Sequence, residues 1–343
     1  MTLLGFDVPI VLGPFGGMSS VALTAAVSEA GGLGGYGLFG YDADRIAATA
    51  AELRAATSRP FALNLWMPVG TEVAPGEVDT AAALATVAPL YDELGIPSPS
   101  GEPDRFLVDV DDQLDAVLDA RPAVASFVFG MPSADRVAAL HDRGILVVGG
   151  ATTVAEAVAV ERAGADAVVA SGFEAGGHRV SFLANAEHSL VGTMSLVPQV
   201  VDAVRIPVIA AGGIADRRGV AAAFALGARG VQVGTAFLRV RESAASAAHR
   251  AALAGLAAEG TVLTRAATGR LARGIRNRLV ETVEAGTIAP FPAQSWVVGA
   301  LRAEANRRGR GDLQSLWAGQ SAALTRGDSA AAVFAELAAG IPR

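Results

Sequence analysis

The feature that most constrains this chain is a repeated alternation of short apolar segments with alanine-rich amphipathic segments. Eight segments are apolar or β-branched along most of their length, which is typical of strands buried on both faces. Most are followed by a helical pattern of roughly 10–15 residues. The predicted strands are 8–12, 33–38, 61–65, 125–129, 145–148, 167–170, 208–211 and 231–233.

Strand then helix, eight times, predicts an α/β fold, a closed (β/α)8 TIM barrel. An open doubly wound sheet is the competing fold, but no GxGxxG with a later acidic residue follows the first strand. Two segments break the repeat: proline-rich 67–110, and the tail beyond 243, which has no further βα unit. We therefore predict a barrel from 1–66 and 111–243. A smaller, mostly helical second lobe from 67–110 and 244–343 is predicted to cover its C-terminal face.

Composition excludes several classes of protein. Apolar residues make up 52% of the 343, which is ample for a large core, and the net charge of −7 disfavours nucleic acid as a partner. The chain contains neither cysteine nor lysine, since all 27 basic residues are arginine. Thiolate metal sites, cysteine nucleophiles and Schiff-base chemistry are therefore excluded.

We expect a cytoplasmic protein without membrane contact. No uninterrupted apolar run approaches the roughly 18 residues of a membrane span. The segment Met1–Gly5 also lacks the basic start and long apolar stretch of a signal peptide.

Glycine turns follow the last two predicted strands, where a barrel places its chemistry. Gly212 and Gly213 follow the seventh strand, with Asp216 opening a helix, and Gly234 and Thr235 follow the eighth. Bare glycine amides and a helix N-terminus are suited to a phosphate group. Either turn alone reads as a tight turn, but the two together favour a phosphate site.

His178 ends a glycine-rich loop after the sixth strand and is the predicted general base or hydrogen-bond donor. The other histidines, at 141, 188 and 249, are interpreted as structural. No second histidine stands at ligand spacing from His178, so no metal is expected. Glu174 in the same loop is a second acid or a brace of the loop.

Three further features fit a ligand at the same end of the barrel. Asn64 ends the third strand, where a buried amide either binds a ligand or braces a loop. The glycines of 13–17 allow backbone to lie against a flat ligand. Arg270, Arg273, Arg276 and Arg278 form either a solvated, ion-paired face or an anion-binding surface, with the first three near one face if the segment is helical.

One phosphate site, a flat ligand and a donor from the sixth strand together fit flavin mononucleotide (FMN). At this point the chain resembles the nitronate monooxygenase (2-nitropropane dioxygenase) family of FMN-dependent barrels. The matching runs are 61–66, 126–132, 164–170, 172–179, 209–214, 231–237, 268–274 and 315–320. The Glu-Ala-Gly-Gly-His run is specific for the wider superfamily, which also holds flavin enoyl reductases and NADH:quinone reductases.

The resemblance implies that His178 is the catalytic residue. It also implies the following FMN-contacting residues: Pro14, Phe15, Gly16, Asn64, Ser171, Gly176, Gly177, Gly212, Gly213, Gln232, Val233, Gly234 and Thr235. Two of them depart from the family pattern. Phe15 stands where methionine is usual, which alters the substrate pocket, and Ser171 stands where glutamine is frequent, which removes a direct FMN hydrogen bond or replaces it through water.

The implied activity is oxidation of an alkyl nitronate by O2 to a carbonyl compound and nitrite, with nitronate or nitroalkane as substrate. Two alternatives stay open. One is an FMN-dependent NAD(P)H reductase of a quinone or enoyl thioester, in which the four arginines hold a nucleotide or carrier phosphate. The other is a phosphate-binding barrel without redox chemistry. A homodimer is one option for the assembly.

Overall fold

Eight parallel strands form a barrel, and this confirms the predicted fold. The computed structural model describes residues 4–342. Residues 1–3 and 343, which belong to the predicted segments 1–66, 244–343 and Met1–Gly5, lie outside the described residues. The strands are β1 Ile10–Leu12, β2 Gly34–Gly37, β3 Phe61–Trp66, β4 Val124–Val128, β5 Leu146–Ala151, β6 Ala167–Ser171, β7 Gly177–His178, β8 Val208–Ala211, β9 Gly230–Val233, β10 Thr261–Thr264 and β11 Ala272–Ile275.

The barrel sheet has the order β1-β9-β8-β6-β5-β4-β3-β2 and closes through Leu33, the residue before β2. The Leu12 N–H donates to the Leu33 carbonyl oxygen at 2.9 Å, and the Leu33 N–H donates to the Ile10 carbonyl oxygen at 3.0 Å. A cluster of buried side chains from the barrel strands, among them Val11, Ala62 and Val169, fills the barrel interior. The interior is therefore a packed core, and the strand ends are left to form a site.

Helices follow the strands where the cap residues predict them. Ser20 caps α1 by accepting from the Leu23 N–H at 3.1 Å, and Asp42 caps α2 by accepting from the Arg45 N–H at 2.9 Å. The helices are α1 Val21–Glu29, α2 Ala43–Ala56, α3 Ala81–Leu94, α4 Val110–Ala120, α5 Ala134–Asp142, α6 Val154–Arg162, α7 Thr193–Ala203, α8 Arg217–Ala225, α9 Thr235–Leu238, α10 Ala247–Ala254, α11 Arg278–Glu284, α12 Ala293–Val297, α13 Gly299–Arg307 and α14 Ala330–Ala338.

A second hydrophobic core joins the proline-rich segment to the tail. Helix α3 packs against α11, α12 and α13, with Val87, Leu90, Leu279 and Leu301 among the buried residues. The buried Tyr91 hydroxyl donates to the Val297 carbonyl oxygen at 2.8 Å. The segment after β3 and the tail thus share one core, while the exact division of the chain into two lobes stays a prediction.

The tail differs from the predicted helical structure in one place. Strands β10 and β11 pair antiparallel, and β11 also pairs with β7, so the mostly helical tail contains a three-stranded sheet. The helix considered for the first three arginines is absent: Arg273 lies in β11, Gly269 before it adopts a left-handed φ of +86°, and Gly274 lies against backbone. A Cβ at Gly274 would come within 2.9 Å of the Leu316 carbonyl oxygen, so tertiary packing decides the conformation.

Candidate active site

One cavity of about 280 Å³ opens at the carboxyl ends of the barrel strands. Thirteen of the fourteen predicted site residues line it, brought together by the loops after β1, β3, β6, β8 and β9. The exception is Val233, whose side chain is buried in the main hydrophobic core while its carbonyl oxygen accepts from the Gly13 N–H at 2.8 Å. The residues that line the cavity are Pro14, Phe15, Gly16, Asn64, Ser171, Gly176, Gly177, His178, Gly212, Gly213, Gln232, Gly234 and Thr235.

Four residues at one end of the cavity, Gly212, Gly213, Gly234 and Thr235, form what we call the glycine cradle. Gly212 and Gly213 have φ values of +99° and +72°, which favour glycine. None of the four backbone N–H groups donates a hydrogen bond to another residue in the described part of the chain. Because the side chain of Asp216 caps α8, the donors come from the loop after β8 and from the first residues of the short helix α9.

The segment between α13 and α14 packs against the glycine cradle. The Ser321 hydroxyl donates to the Gly213 carbonyl oxygen at 2.7 Å, and the Gly319 N–H donates to Thr235 Oγ1 at 2.9 Å. A Cβ at Gly176 would lie 2.6 Å from the carbonyl carbon of Ala318. The tail therefore packs directly on the loop that carries His178.

Asn64 is buried, and its amide makes bracing contacts with β4. Its Nδ2 donates to the Ser126 carbonyl oxygen at 3.1 Å and to Ser126 Oγ at 3.0 Å. Both bonds use the amide donor, and among the described residues Asn64 Oδ1 has no hydrogen-bond donor. Ser126 thus braces the amide through its donor, and binding of a ligand by the acceptor stays a prediction.

His178 lies among aromatic rings that line the same cavity. Its imidazole packs edge-on against Trp66, with ring centroids 4.7 Å apart, and lies 5.1 Å from the ring of Trp317. Its Nε2 is 2.8 Å from Thr268 Oγ1, a hydroxyl on the loop between β10 and β11. Thr268 is 90 residues away in sequence, so only the fold brings the two side chains together.

Glu174 braces the loop rather than serving as a second acid. Its carboxylate accepts from the Thr193 N–H at 3.0 Å and from Thr193 Oγ1 at 3.0 Å, and it does not line the cavity. The buried Arg179 fixes the other end of the loop by donating to the Ser171, Gly172 and Ser189 carbonyl oxygens. These contacts hold His178 at the cavity.

Most arginines of the predicted cluster form ion pairs or hydrogen bonds with other residues. None of the four lines the cavity. Arg270 pairs with Glu72 and lies over the ring of Phe291 at 3.8 Å. Arg273 donates to the Phe173 carbonyl oxygen at 2.9 Å, and Arg278 pairs with Glu93. The cluster therefore ties the second core to the barrel and offers no anion-binding surface inside the cavity.

Sequence reasoning missed five cavity residues that come from distant segments. Trp66 was visible only as part of a strand, and Thr268 and Trp317 only as parts of matching runs. Ser295 and Arg302 carried no local signal, because an arginine on an amphipathic helix usually faces solvent. All five line the cavity: Trp66 ends β3, Ser295 and Arg302 lie on α12 and α13, and Thr268 and Trp317 lie on loops of the tail.

Burial, and then the positive charges of Arg270 and Arg302, lower the pKa of His178 to about 3. All three causes disfavour the imidazolium, so the ionisation moves down from its ordinary value near 6.5. At neutral pH the cavity therefore presents a neutral imidazole, which accepts a hydrogen bond at one nitrogen and donates one from the other.

We expect His178 to stay neutral as the pH falls from 8 to roughly 4, well below the midpoint of an ordinary histidine. The measurement is an NMR titration of protein labelled with carbon-13 in its four histidines. The imidazole signal that is missing in His178→Asn identifies the residue. A titration of that signal with a midpoint near 6.5 would contradict the buried, cationic environment described above.

The fold and the cavity define a class of protein: a TIM-barrel enzyme that binds a small molecule at the C-terminal ends of its strands. The comparisons with known proteins narrow this class. The model of the nitronate monooxygenase family matches residues 1–340. The chain belongs to the nitronate monooxygenase family and is an oxidoreductase.

Relatives of known name are similar to this protein over nearly the whole chain. A nitronate monooxygenase from Pseudomonas aeruginosa is 44% identical over 332 residues, 94% of this chain and 93% of the relative. Nitroalkane oxidase from Streptomyces ansochromogenes has a TM-score of 0.87 at 38% identity, with 98% of this chain and 97% of that chain covered. FabK from Thermotoga maritima has a TM-score of 0.74 at 30% identity, with 97% and 92% covered.

Residues 4–342 contain neither a candidate membrane span nor a candidate metal site. Among the helices described, none has the length and apolarity that crossing a bilayer requires. Within the same residues, no group of three or more histidine, aspartate or glutamate side chains is arranged to hold a metal ion.

Proposed function

We propose that this protein oxidises alkyl nitronates with O2 to a carbonyl compound and nitrite, with FMN as the cofactor. The observation that carries the proposal is that the glycine cradle and His178 line the same cavity. The unpaired N–H groups of the cradle suit one phosphate, and the aromatic wall suits a flat ring system. A bound FMN would supply the electron acceptor between the nitronate and O2.

The residues of the chain would then bind the cofactor and orient the substrate. The glycine cradle would hold the phosphate, and Asn64 Oδ1 would accept from a ring N–H. His178, held by Thr268, would hydrogen-bond the nitro group of a substrate lying against Trp66 and Trp317. Because its imidazole is neutral, it binds an anionic nitronate as a donor and is a weak base toward a neutral nitroalkane.

We expect purified protein to release FMN, rather than FAD, on heating. The cradle offers a site for one phosphate, and the sequence carries no dinucleotide-binding fingerprint. The released cofactor is identified by chromatography, and the protein is then mixed anaerobically with a nitronate or with NAD(P)H. Bleaching of the flavin by the nitronate supports the proposal. Recovery of FAD, or of no flavin after reconstitution with FMN, would contradict it.

The same anaerobic experiment decides the reductase alternative, which the similarity to FabK keeps in view. Its basis in the sequence, the four clustered arginines, is weakened because these side chains lie outside the cavity. Rapid bleaching by NADH or NADPH and none by a nitronate would favour the reductase. A cytoplasmic location and a homodimer stay predictions.

A further inference from the structure

Arg270, a member of the arginine cluster, holds a largely buried charge close to the cavity. Its guanidinium lies between two phenyl rings, 4.3 Å from the ring centre of Phe129 and 3.8 Å from that of Phe291. The side chains of Arg270 and of its ion-pair partner Glu72 are only 12% and 14% exposed. A buried ion pair often adds little to stability, because desolvation offsets the attraction between the charges. The pair therefore points to a role in the neighbouring site.

The carboxylate of Glu72 fixes this guanidinium from the segment that follows β3. It accepts from the Val69 N–H at 2.9 Å and from the Gly70 N–H at 2.8 Å, so the loop is folded around the carboxylate. Burial raises the pKa of Glu72, but the hydrogen bond from Val69 and the charge of Arg270 outweigh burial and hold this pKa below its usual value. Both members of the pair are therefore charged at neutral pH.

The phenyl rings that enclose Arg270 also lie against the aromatic wall of the cavity. The ring centre of Trp66 is 4.9 Å from that of Phe129 and 6.2 Å from that of Phe291. Trp66 in turn packs edge-on against His178 at 4.7 Å, and Phe129 lies 6.3 Å from the same imidazole. The ring of Phe129 is thus next to both the guanidinium and the imidazole, and a charge is poorly screened across such apolar groups.

A second link between Arg270 and His178 runs through the backbone. The Arg270 N–H donates to Thr268 Oγ1 at 3.3 Å, and the same hydroxyl is 2.8 Å from Nε2 of the imidazole. This link does not involve the guanidinium. A substitution of the Arg270 side chain therefore removes the charge while the backbone N–H that contacts the Thr268 hydroxyl stays.

Two positive charges and no negative charge face the imidazole of His178 in the described part of the chain. They belong to Arg270, on the loop between β10 and β11, and to Arg302, on α13. After burial, these two charges lower the pKa of His178, and Arg270 has the larger effect of the two. The other side chains against the imidazole carry no titratable group: Trp66, Phe129, Thr268 and Trp317.

We propose that Arg270 is a positioning residue of the active site: its guanidinium, held between two rings by Glu72, keeps the imidazole of His178 uncharged. The inference rests on the proposed function, since an uncharged imidazole can both donate to a nitronate and accept a proton from a nitroalkane. Glu72 has a different part, because it holds the guanidinium in place.

The test compares two variants that break the same ion pair and differ in the cation that remains. Glu72→Gln keeps the positive charge between the rings, whereas Arg270→Gln removes it. The readout is the carbon-13 titration of the His178 imidazole in the purified protein from pH 8 to about 4. In the wild type and in Glu72→Gln we expect no titration over this range. In Arg270→Gln we expect a midpoint raised by roughly 1 to 2 pH units, so that the imidazole titrates within it.

Three further variants separate the charge from the packing. Arg270→Lys keeps a charge without the planar fork, and its imidazole should stay neutral over the same range as in the wild type. Arg278→Gln is the matched control and should leave the titration unchanged, because Arg278 belongs to the same cluster but is exposed and pairs with Glu93. The double variant Glu72→Gln/Arg270→Gln leaves no unpaired buried charge, and it replaces Arg270→Gln if that variant does not fold.

Equal midpoints in Glu72→Gln and Arg270→Gln, whether raised or not, would show that the ion pair only braces the wall and would overturn the proposal. A midpoint raised as much in Arg270→Lys as in Arg270→Gln would do the same. So would a double variant whose imidazole stays neutral over the whole range.

The pH dependence of the reaction supplies a second readout. On the acid side, kcat/KM for a neutral nitroalkane falls as the imidazole of the free enzyme is protonated. In Arg270→Gln this fall should begin roughly 1 to 2 pH units higher than in the wild type, and Arg278→Gln should follow the wild type. If the wild type oxidises neither a nitroalkane nor a nitronate, the proposed function fails, and the titration alone still decides the role of Arg270.

Discussion

Gly213→Asp is expected to be purified without flavin, with an affinity for added FMN lowered on the order of 10²-fold or more. A Cβ at Gly213 meets only ordinary contacts, the nearest being Glu174 Cβ at 3.6 Å, so the substitution does not overfill the loop. The carboxylate would instead place a negative charge beside a phosphate on the glycine cradle. Two like charges about 4 Å apart repel by about 4 kcal/mol at an effective dielectric constant of 20.

Gly213→Asn is the matched control for this experiment. Asparagine has nearly the same shape, carries no charge, and tolerates the left-handed φ of +72° better than most residues. We expect it to lose about 10-fold or less in FMN affinity. The measurement is titration of the flavin-free proteins with FMN, followed by quenching of flavin fluorescence. Equal affinities of the Asp and Asn variants would mean that the phosphate does not lie on the cradle.

His178→Asn is expected to have the second large effect, and its size depends on the form of the substrate. Where a neutral nitroalkane must first be deprotonated, we expect a loss near the lower end of the roughly 10²- to 10⁴-fold contribution of a general base, because an imidazole of lowered pKa is a weak base. With the preformed nitronate the loss should be smaller, about 10- to 100-fold, as for one hydrogen bond to a charged group. Wild type and variant are compared on the two forms side by side.

Flavin content is the control for this variant, because the glycine cradle and Asn64 lie on other loops and should hold the cofactor as before. A further variant, Thr268→Val, removes the hydroxyl that contacts Nε2 while keeping the shape of the side chain. Thr268→Val should lose activity on the same substrates, but less than His178→Asn does. Full activity of His178→Asn on both substrates would remove the imidazole from the reaction and leave it a structural residue.

The sequence predicted the barrel and many residues at the C-terminal ends of its strands because both depend on local sequence patterns. Strands buried on two faces are continuous apolar runs, and caps such as Asp42 and Asp216 fix where helices begin. Glycines directly after β8 and β9 mark the cradle, because closed parallel barrels bring these strand ends together. His178 was placed at the cavity by the same argument.

The arginine cluster shows where local pattern was insufficient. A helix over Arg270–Arg276 was as consistent with spacing as a strand, and the choice was made by pairing of β11 with β10 and β7. Arg270 could not be recognised as the partner of Glu72, which lies 198 positions earlier in the chain. Pairings at such separations depend on how the second core packs, which spacing within one segment does not encode.

The sequence alone determined the strand order along the chain, the cradle glycines and the catalytic candidate, because each depends on residues adjacent in sequence. Only the tertiary structure decided what surrounds them: Thr268 on His178, Trp317 beside it, and Arg302 without a carboxylate partner. The physical reason is that burial and pairing of a charge are properties of the packed neighbourhood. An arginine such as Arg302 on α13 would be solvated if its helix faced solvent. It is largely shielded from solvent here because that helix lines the cavity.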